Sequence, residues 1–74
     1  MLPPLRDLIA GAVEDAARYR QHAKAARQLA RTTRNPVERI MARGRVAEYV
    51  AEAKKRDAYA AELRAQAGKG KARR

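Results

Sequence analysis

Apolar residues along the chain recur at alternating intervals of three and four positions, the spacing of one face of an α-helix. In the first half this seam consists of Leu2, Leu5, Ile9, Ala12, Ala16, Tyr19, Ala23, Ala26, Ala30 and Thr33. In the second half it consists of Val37, Ile40, Gly44, Ala47, Ala51, Lys54, Ala58, Ala61 and Ala65. No segment alternates polar and apolar residues as a β-strand does. The pattern therefore predicts an all-α protein with two long helices.

The residues between the two seams predict where one helix ends and the next begins. Asn35 is a favoured N-cap, and Pro36 fits the first position of a helix. Glu38 is placed to complete a capping box with Asn35. Because proline disfavours helical backbone at the residue before it, helix 1 is expected to end before Asn35. Helix 1 is thus predicted over about 4–33, a turn over 34–36, and helix 2 over about 36–67.

Two glycines near the end of the chain predict the end of the second helix. Gly68 and Gly70 are typical of helix C-termini, where a residue without a Cβ is favoured. The remaining segment, 68–74, carries Lys69, Lys71 and two arginines and no acidic residue. It is predicted to be a basic disordered tail outside the helical domain of residues 1–67.

A fold-back of the chain about Asn35 would bring the two seams together. In that register Ile9 faces Ala61 and Ala26 faces Gly44, so that no two large side chains oppose each other. Such complementarity is typical of antiparallel helices that approach each other closely. The sequence therefore predicts a coiled-coil-like antiparallel hairpin with an alanine-rich seam, and the closest approach at Ala26 and Gly44.

Further apolar residues lie outside both seams, and those of helix 2 form a second stripe. A helix with two apolar stripes usually packs against two neighbours, and an alanine-rich seam alone buries little area. We therefore expect the hairpin to form a homodimer, a four-helix bundle, through this second set. Its predicted members are Leu8, Val13, Leu29, Val46, Tyr49, Ala53, Ala60 and Leu63.

The distribution of charge adds a functional prediction. The chain has 18 Lys and Arg against 8 Asp and Glu, a formal net charge of +10, and no acidic residue lies between Ala16 and Val37. Residues of that segment spaced by four and three fall on one side of helix 1, and two arginines open helix 2 beside them. Contacts with several phosphates would release counterions and make binding salt-dependent. The predicted nucleic-acid-binding set is Arg20, Lys24, Arg27, Arg31, Arg34, Arg39 and Arg43.

Catalytic, cofactor and membrane functions find little support in the composition. The chain has no Cys and one His, so a thiol nucleophile and a cysteine-ligated metal are excluded. Glu48 and Glu52 lie one helical turn apart, but basic neighbours favour ordinary surface pairing. The longest uncharged run, Leu8 to Val13, has six residues, so no membrane span is expected. The N-terminus lacks the basic-then-apolar order of a signal peptide, which favours a cytoplasmic location.

These patterns predict a small non-enzymatic regulatory or architectural protein, of the type that bacteria, phages or plasmids encode. It would use no cofactor and no metal. It would bind the backbone of DNA or RNA with the ridge that the basic residues named above form at the turn end of the hairpin. The alternative is an inhibitor or adaptor that docks its second apolar stripe on a host protein while the ridge meets an acidic patch.

Overall fold

The chain forms two helices that lie against each other as a hairpin. A computed structural model describes the backbone of residues 3–72 and the side chains of residues 3–68. Helix α1 spans Leu5–Thr32 and helix α2 spans Pro36–Ala72. Contacts between residues far apart in sequence, such as Tyr19 with Tyr49, show that the helices run antiparallel. The predicted all-α hairpin is confirmed for the described residues.

The connection between the helices is three residues long and is held by local hydrogen bonds. The side-chain Oδ1 of Asn35 accepts from the backbone N–H groups of Val37 at 3.0 Å and Glu38 at 3.3 Å. This confirms Asn35 as the N-cap of α2. The predicted capping box is not formed, because the Asn35 N–H donates to the Thr33 hydroxyl at 3.2 Å and not to Glu38. Thr33 has extended backbone, which ends α1.

The N-terminus of α1 has no side-chain cap, and its first amides bond to the backbone. The carbonyl of Pro4 accepts from the N–H groups of Asp7 at 3.0 Å and Leu8 at 3.2 Å. Asp7 lies in the first turn, where a carboxylate interacts favourably with the positive end of the helix dipole. Pro4 has extended backbone and directly precedes the first helical residue, Leu5.

The far end of α2 differs from the prediction, since its backbone continues through Gly68 to Ala72. Within the described residues no glycine has a positive φ, so none adopts the left-handed conformation that ends a helix. The backbone of 68–72 is therefore helical where a disordered tail was predicted. The side chains of Lys69 and Lys71 lie outside the described residues, as do residues 73–74.

The seam predicted for α1 is the face that packs against α2. Its members between Leu5 and Thr33 are all buried or half-buried, and Leu2 lies outside the described residues. The fully buried positions are almost all alanines, which lets the two helix backbones approach closely. The buried apolar residues of the described chain are Ala12, Ala16, Ala23, Ala26, Ala42, Ala53, Ala60 and Leu63.

The seam predicted for α2 is wrong, because every one of its members is exposed. The buried face of α2 contains the second stripe, with Val46, Tyr49, Ala53, Ala60 and Leu63, and also Ala42, which was not predicted to belong to it. This stripe places larger apolar side chains against α1 along most of its length, and so removes more apolar area from water. By contrast, the largest members of the predicted seam lie in the first two turns of α2, where only the end of α1 could cover them.

The predicted close approach of Ala26 and Gly44 is also absent. A Cβ built at Gly44 would meet no side chain or neighbouring-helix atom within 4 Å. The glycine therefore lies on the open side of α2, and its missing side chain makes no room for α1.

Candidate functional site

A groove between the two helices at the turn end of the hairpin gathers four arginines. It has a volume of about 470 Å³. Ala30 and Val46 form its apolar part, with one residue from each helix. The guanidinium-bearing side chains around them define what we call the arginine groove: Arg27, Arg31, Arg39 and Arg43.

The helical spacing and the short connection together place these side chains. Arg27 and Arg31 are four residues apart on α1, and Arg39 and Arg43 are four residues apart on α2. Each pair therefore lies on one side of its helix, about 6 Å apart along the axis. Because only residues 33–35 connect the helices, the last turns of α1 lie beside the first turns of α2, and the two pairs line the same groove.

Arg39 differs from the other three arginines in being tied to the backbone. Its Nη2 donates to the carbonyl oxygen of Thr33 at 3.1 Å, and the side chain is half-buried. This bond satisfies a carbonyl near the C-terminus of α1, which lacks a helical partner. Arg39 thus stabilises the turn while it lines the groove. Arg27, Arg31 and Arg43 are exposed.

The arginine groove carries positive charge that the described residues leave unpaired. Among residues 3–68, ion pairs join Arg6 to Asp7 at 3.9 Å, Lys55 to Glu52 at 3.3 Å, and Arg20 to Asp57. None of these involves a groove arginine. Four cationic groups around a partly apolar concavity produce a region of positive electrostatic potential.

The other three predicted nucleic-acid-binding residues lie outside the groove. Arg20 lies on the same side of α1 but forms an ion pair with Asp57 of α2. No acidic residue lies in the sequence between Ala16 and Val37, and the partner of Arg20 comes from the other helix. Lys24 and Arg34 are exposed, and neither lines the groove.

The residues predicted to form a dimer interface are mostly used inside the hairpin. Ala53, Ala60 and Leu63 are buried against α1, and Val46 is half-buried. The ring of Tyr49 is half-buried and lies 6.4 Å, centroid to centroid, from that of Tyr19.

The prediction that the α2 members of this set form a free surface is wrong, because α2 packs against α1 with the face that carries them. The same packing removes the stripe that the inhibitor or adaptor alternative would have used. Of the predicted α1 residues, Leu8 is half-buried, and Val13 and Leu29 are exposed.

One charged residue that was not among the predicted site residues lies on the packing face of α2. Arg56 is half-buried, and within the described residues its Nε is buried without a hydrogen-bond partner. The neighbouring Glu52 accepts a hydrogen bond from Nζ of Lys55 and not from Arg56. The helical position of Arg56, between Ala53 and Ala60, is the signal that would have found it.

Titratable side chains elsewhere do not form a metal-binding cluster in the described part of the chain. No group of three or more His, Asp and Glu residues is close enough to hold an ion there. His22 is exposed, and its ring lies 5.4 Å from that of Tyr49. Neither α1 nor α2 contains, in the residues described, a stretch apolar enough to cross a membrane.

Comparison with models of protein families, with curated proteins and with solved structures finds no match to this chain. The arginine groove is thus the feature from which a function is proposed.

Proposed function

We propose that this hairpin is a small non-enzymatic regulatory or architectural protein that binds the sugar–phosphate backbone of nucleic acid in the arginine groove. The supporting observation is the convergence of four arginines, from two helices, on one groove in which no described carboxylate pairs with them. An Arg-rich surface without such convergence would be an ordinary solvated face.

The chemistry of the groove favours phosphate over other anions. A guanidinium group is planar and donates two parallel hydrogen bonds to phosphate oxygens. The two arginines of each helix are offset by about 6 Å along the axis, and the two pairs face each other across the groove. Neighbouring phosphates of one strand can therefore each meet guanidinium groups from both helices. Arg39, fixed by its bond to Thr33, positions one of these groups before binding.

Recognition of the backbone fits the groove better than recognition of bases. Sequence-specific binding of single strands usually needs aromatic side chains on which bases stack. No tyrosine lines the groove, and Tyr19 and Tyr49 are packed together between the helices. Tyr59 is exposed but lies well along α2 from the turn. The proposal is thus phosphate contact that depends on shape, with little dependence on base sequence.

The proposed acting unit is a homodimer. Of the eight buried apolar residues in the described chain, seven are alanines, whose burial contributes little apolar area. Small helical units of this kind commonly gain stability by forming four-helix bundles. Self-association would also give each particle two arginine grooves.

A binding titration with matched charge variants tests the groove. The test variant carries Arg27→Gln, Arg31→Gln and Arg43→Gln, and keeps Arg39 because of its bond at the turn. The control removes the same charge from exposed residues away from the groove and from the outer side of α2, with Arg6→Gln, Arg18→Gln and Arg64→Gln. Labelled duplex DNA and structured RNA are titrated at two or more salt concentrations.

The expected result is salt-dependent binding by the wild type and the control, and a large loss of affinity in the groove variant. Loss of three phosphate contacts should lower the slope of log affinity against log salt by up to about 3. The proposal is wrong if the wild type binds neither nucleic acid near physiological salt, or if the groove and control variants lose equal affinity. In that case an acidic protein surface becomes the leading ligand for the groove.

A further inference from the structure

The side of α2 that faces away from α1 carries a row of exposed residues that are apolar or small at every position except Lys54. It is the heptad seam of α2 that was predicted to pack inside the hairpin, and we call it the outer seam. Its members are Val37, Ile40, Gly44, Ala47, Ala51, Lys54, Ala58, Ala61 and Ala65, all of them exposed. Met41 lies beside its first turn and is exposed as well.

The outer seam is more than a row of small side chains, because its first turns expose large ones. Val37 is 64% exposed and Ile40 is 69% exposed, whereas alanines fill most of the interior. Large apolar groups left in contact with water, next to one another on a helix, are typical of an interface. The residues of the outer seam lie on one face of α2 with heptad spacing, and such a face can pack lengthwise against another helix.

The uneven charge along the hairpin is compatible with a second copy of this chain in one direction only. The half of the molecule at the turn, residues 20–49, has eight Lys and Arg and two Asp and Glu. The other described half, residues 3–19 and 50–68, has six of each. A second copy in the antiparallel direction brings each basic half beside the half that holds most of the acidic residues. A parallel copy would bring the two basic halves together, which is repulsive.

We propose that the outer seam is the surface on which a second copy of this chain docks, with the two α2 helices antiparallel and centred near Ala51. In this arrangement Val37 of one copy lies opposite Ala65 of the other, and Gly44 lies opposite Ala58, so that no two large residues oppose each other. Glu48 comes within one residue of the level of Lys55 of the other copy, and symmetry repeats that pair. The two arginine grooves lie towards opposite ends of the dimer.

This inference specifies the homodimer that belongs to the proposed function, and it does not depend on nucleic-acid binding. The two can be tested separately. Sedimentation of the free protein measures self-association, whereas the titration of the groove variants measures binding. A dimer that binds no nucleic acid would contradict the proposed function and leave the dimer standing. A monomer that binds nucleic acid would contradict the dimer and leave the proposed function of the groove standing.

Substitution on the outer seam is the first test. Ile40→Gln with Ala51→Gln places amides on the seam, and glutamine is compatible with a helix. The control is Val13→Gln with Ala17→Gln, which likewise replaces one β-branched apolar residue and one alanine by glutamine, at exposed positions of α1. Sedimentation equilibrium over a range of concentrations gives the dimer dissociation constant of each, and far-ultraviolet circular dichroism checks that each remains helical.

We expect the wild type and the control to dimerise, and the seam variant to have a dissociation constant raised at least about tenfold. That factor corresponds to about 1.4 kcal/mol. A wild type that stays monomeric at high micromolar concentration overturns the proposal. So does a seam variant that dimerises as well as the control.

Engineered cysteines test the orientation in an otherwise unchanged chain, which has no cysteine of its own. Ile40→Cys and Ala61→Cys are made singly and treated with a short bis-maleimide, alone and as a mixture. Antiparallel docking predicts efficient crosslinks only in the mixture, between residue 40 of one copy and residue 61 of the other. Efficient crosslinking of Ile40→Cys to itself indicates parallel docking and contradicts the proposal, and so does the absence of any crosslink above that of an Ala17→Cys control.

Discussion

Arg20 of α1 forms an ion pair with Asp57 of α2, across the hairpin and 37 positions away in the sequence. The pair joins the two helices near the middle of α1. It also divides the basic side of the molecule, because Arg20 is neutralised while the arginines nearer the turn are not. The arginine groove therefore lies on the turn side of this ion pair.

Removal of the carboxylate of Asp57 is predicted to affect binding more than stability. The side chains of Arg20 and Asp57 are 56% and 49% exposed, so Asp57→Asn should cost less than about 1 kcal/mol of unfolding free energy. Arg20 then becomes available for phosphate, and affinity for duplex DNA should rise, with a salt slope steeper by about 1. Glu62→Gln removes the same charge from an exposed residue far from the groove. Equal gains in the two variants would mean that net charge alone acts.

Enlargement of a buried alanine is predicted to force the helices apart. Ala16 is 0% exposed, whereas its neighbour Ala17 is exposed. Ala16→Leu should lower the free energy of unfolding by about 1–3 kcal/mol, because the interface has no room for three more carbon atoms. Ala17→Leu, on the solvent side, should change it little. Urea denaturation followed by circular dichroism measures both, and similar effects at the two positions would contradict the observed packing of α1.

Replacement of Gly44, on the open side of α2, by alanine is predicted to stabilise the protein. Gly44 is helical, and a Cβ there meets no neighbouring side chain within 4 Å. Gly44→Ala should therefore raise the free energy of unfolding by about 0.5–1 kcal/mol, through the higher helix propensity of alanine. The measurement is a thermal melt at a concentration low enough for the monomer. Destabilisation would instead support the close approach to Ala26 that the seam pattern predicted.

Loss of the N-cap is predicted to weaken α2 at its start. The side-chain oxygen of Asn35 accepts two backbone hydrogen bonds, from Val37 and Glu38. Asn35→Ala should cost about 1 kcal/mol, because both N–H groups lose that partner. Asn35→Asp keeps the acceptor and places a negative charge at the positive end of the helix dipole, so it should keep the stability of the wild type. Chemical denaturation of the three proteins distinguishes capping from a general effect of substitution at the turn.

The turn and both helices follow from local chemistry that the sequence displays directly. The sequence Asn35-Pro36 specifies a cap and a first helical residue, and the structure places both as predicted. The seam of α1 is also readable, since its apolar residues form one row along the whole helix, whereas Val13 and Leu29 lie outside it and form no second row. Helix α1 therefore has one dominant face to bury.

Helix α2 shows where sequence reasoning fails, because it has two apolar rows with the same helical spacing. Ile40 and Ala47 lie on one row and Tyr49 and Leu63 on the other, and periodicity ranks neither above the other. Only packing against α1 selects between the two rows. In the structure Tyr49 lies beside Tyr19 and Leu63 is buried, whereas Ile40 is exposed, close to the end of the hairpin.

By itself the sequence determined the helices, their reversal at Asn35 and the excess of positive charge near the turn, because each depends on residues close together in the chain. The tertiary structure alone decided which row of α2 is inside, which acidic residue meets Arg20, and that Arg39 and Arg43 share a groove with Arg27 and Arg31. These depend on the rotation of one helix about its axis against the other, and that rotation is set by the fit of side chains between the helices.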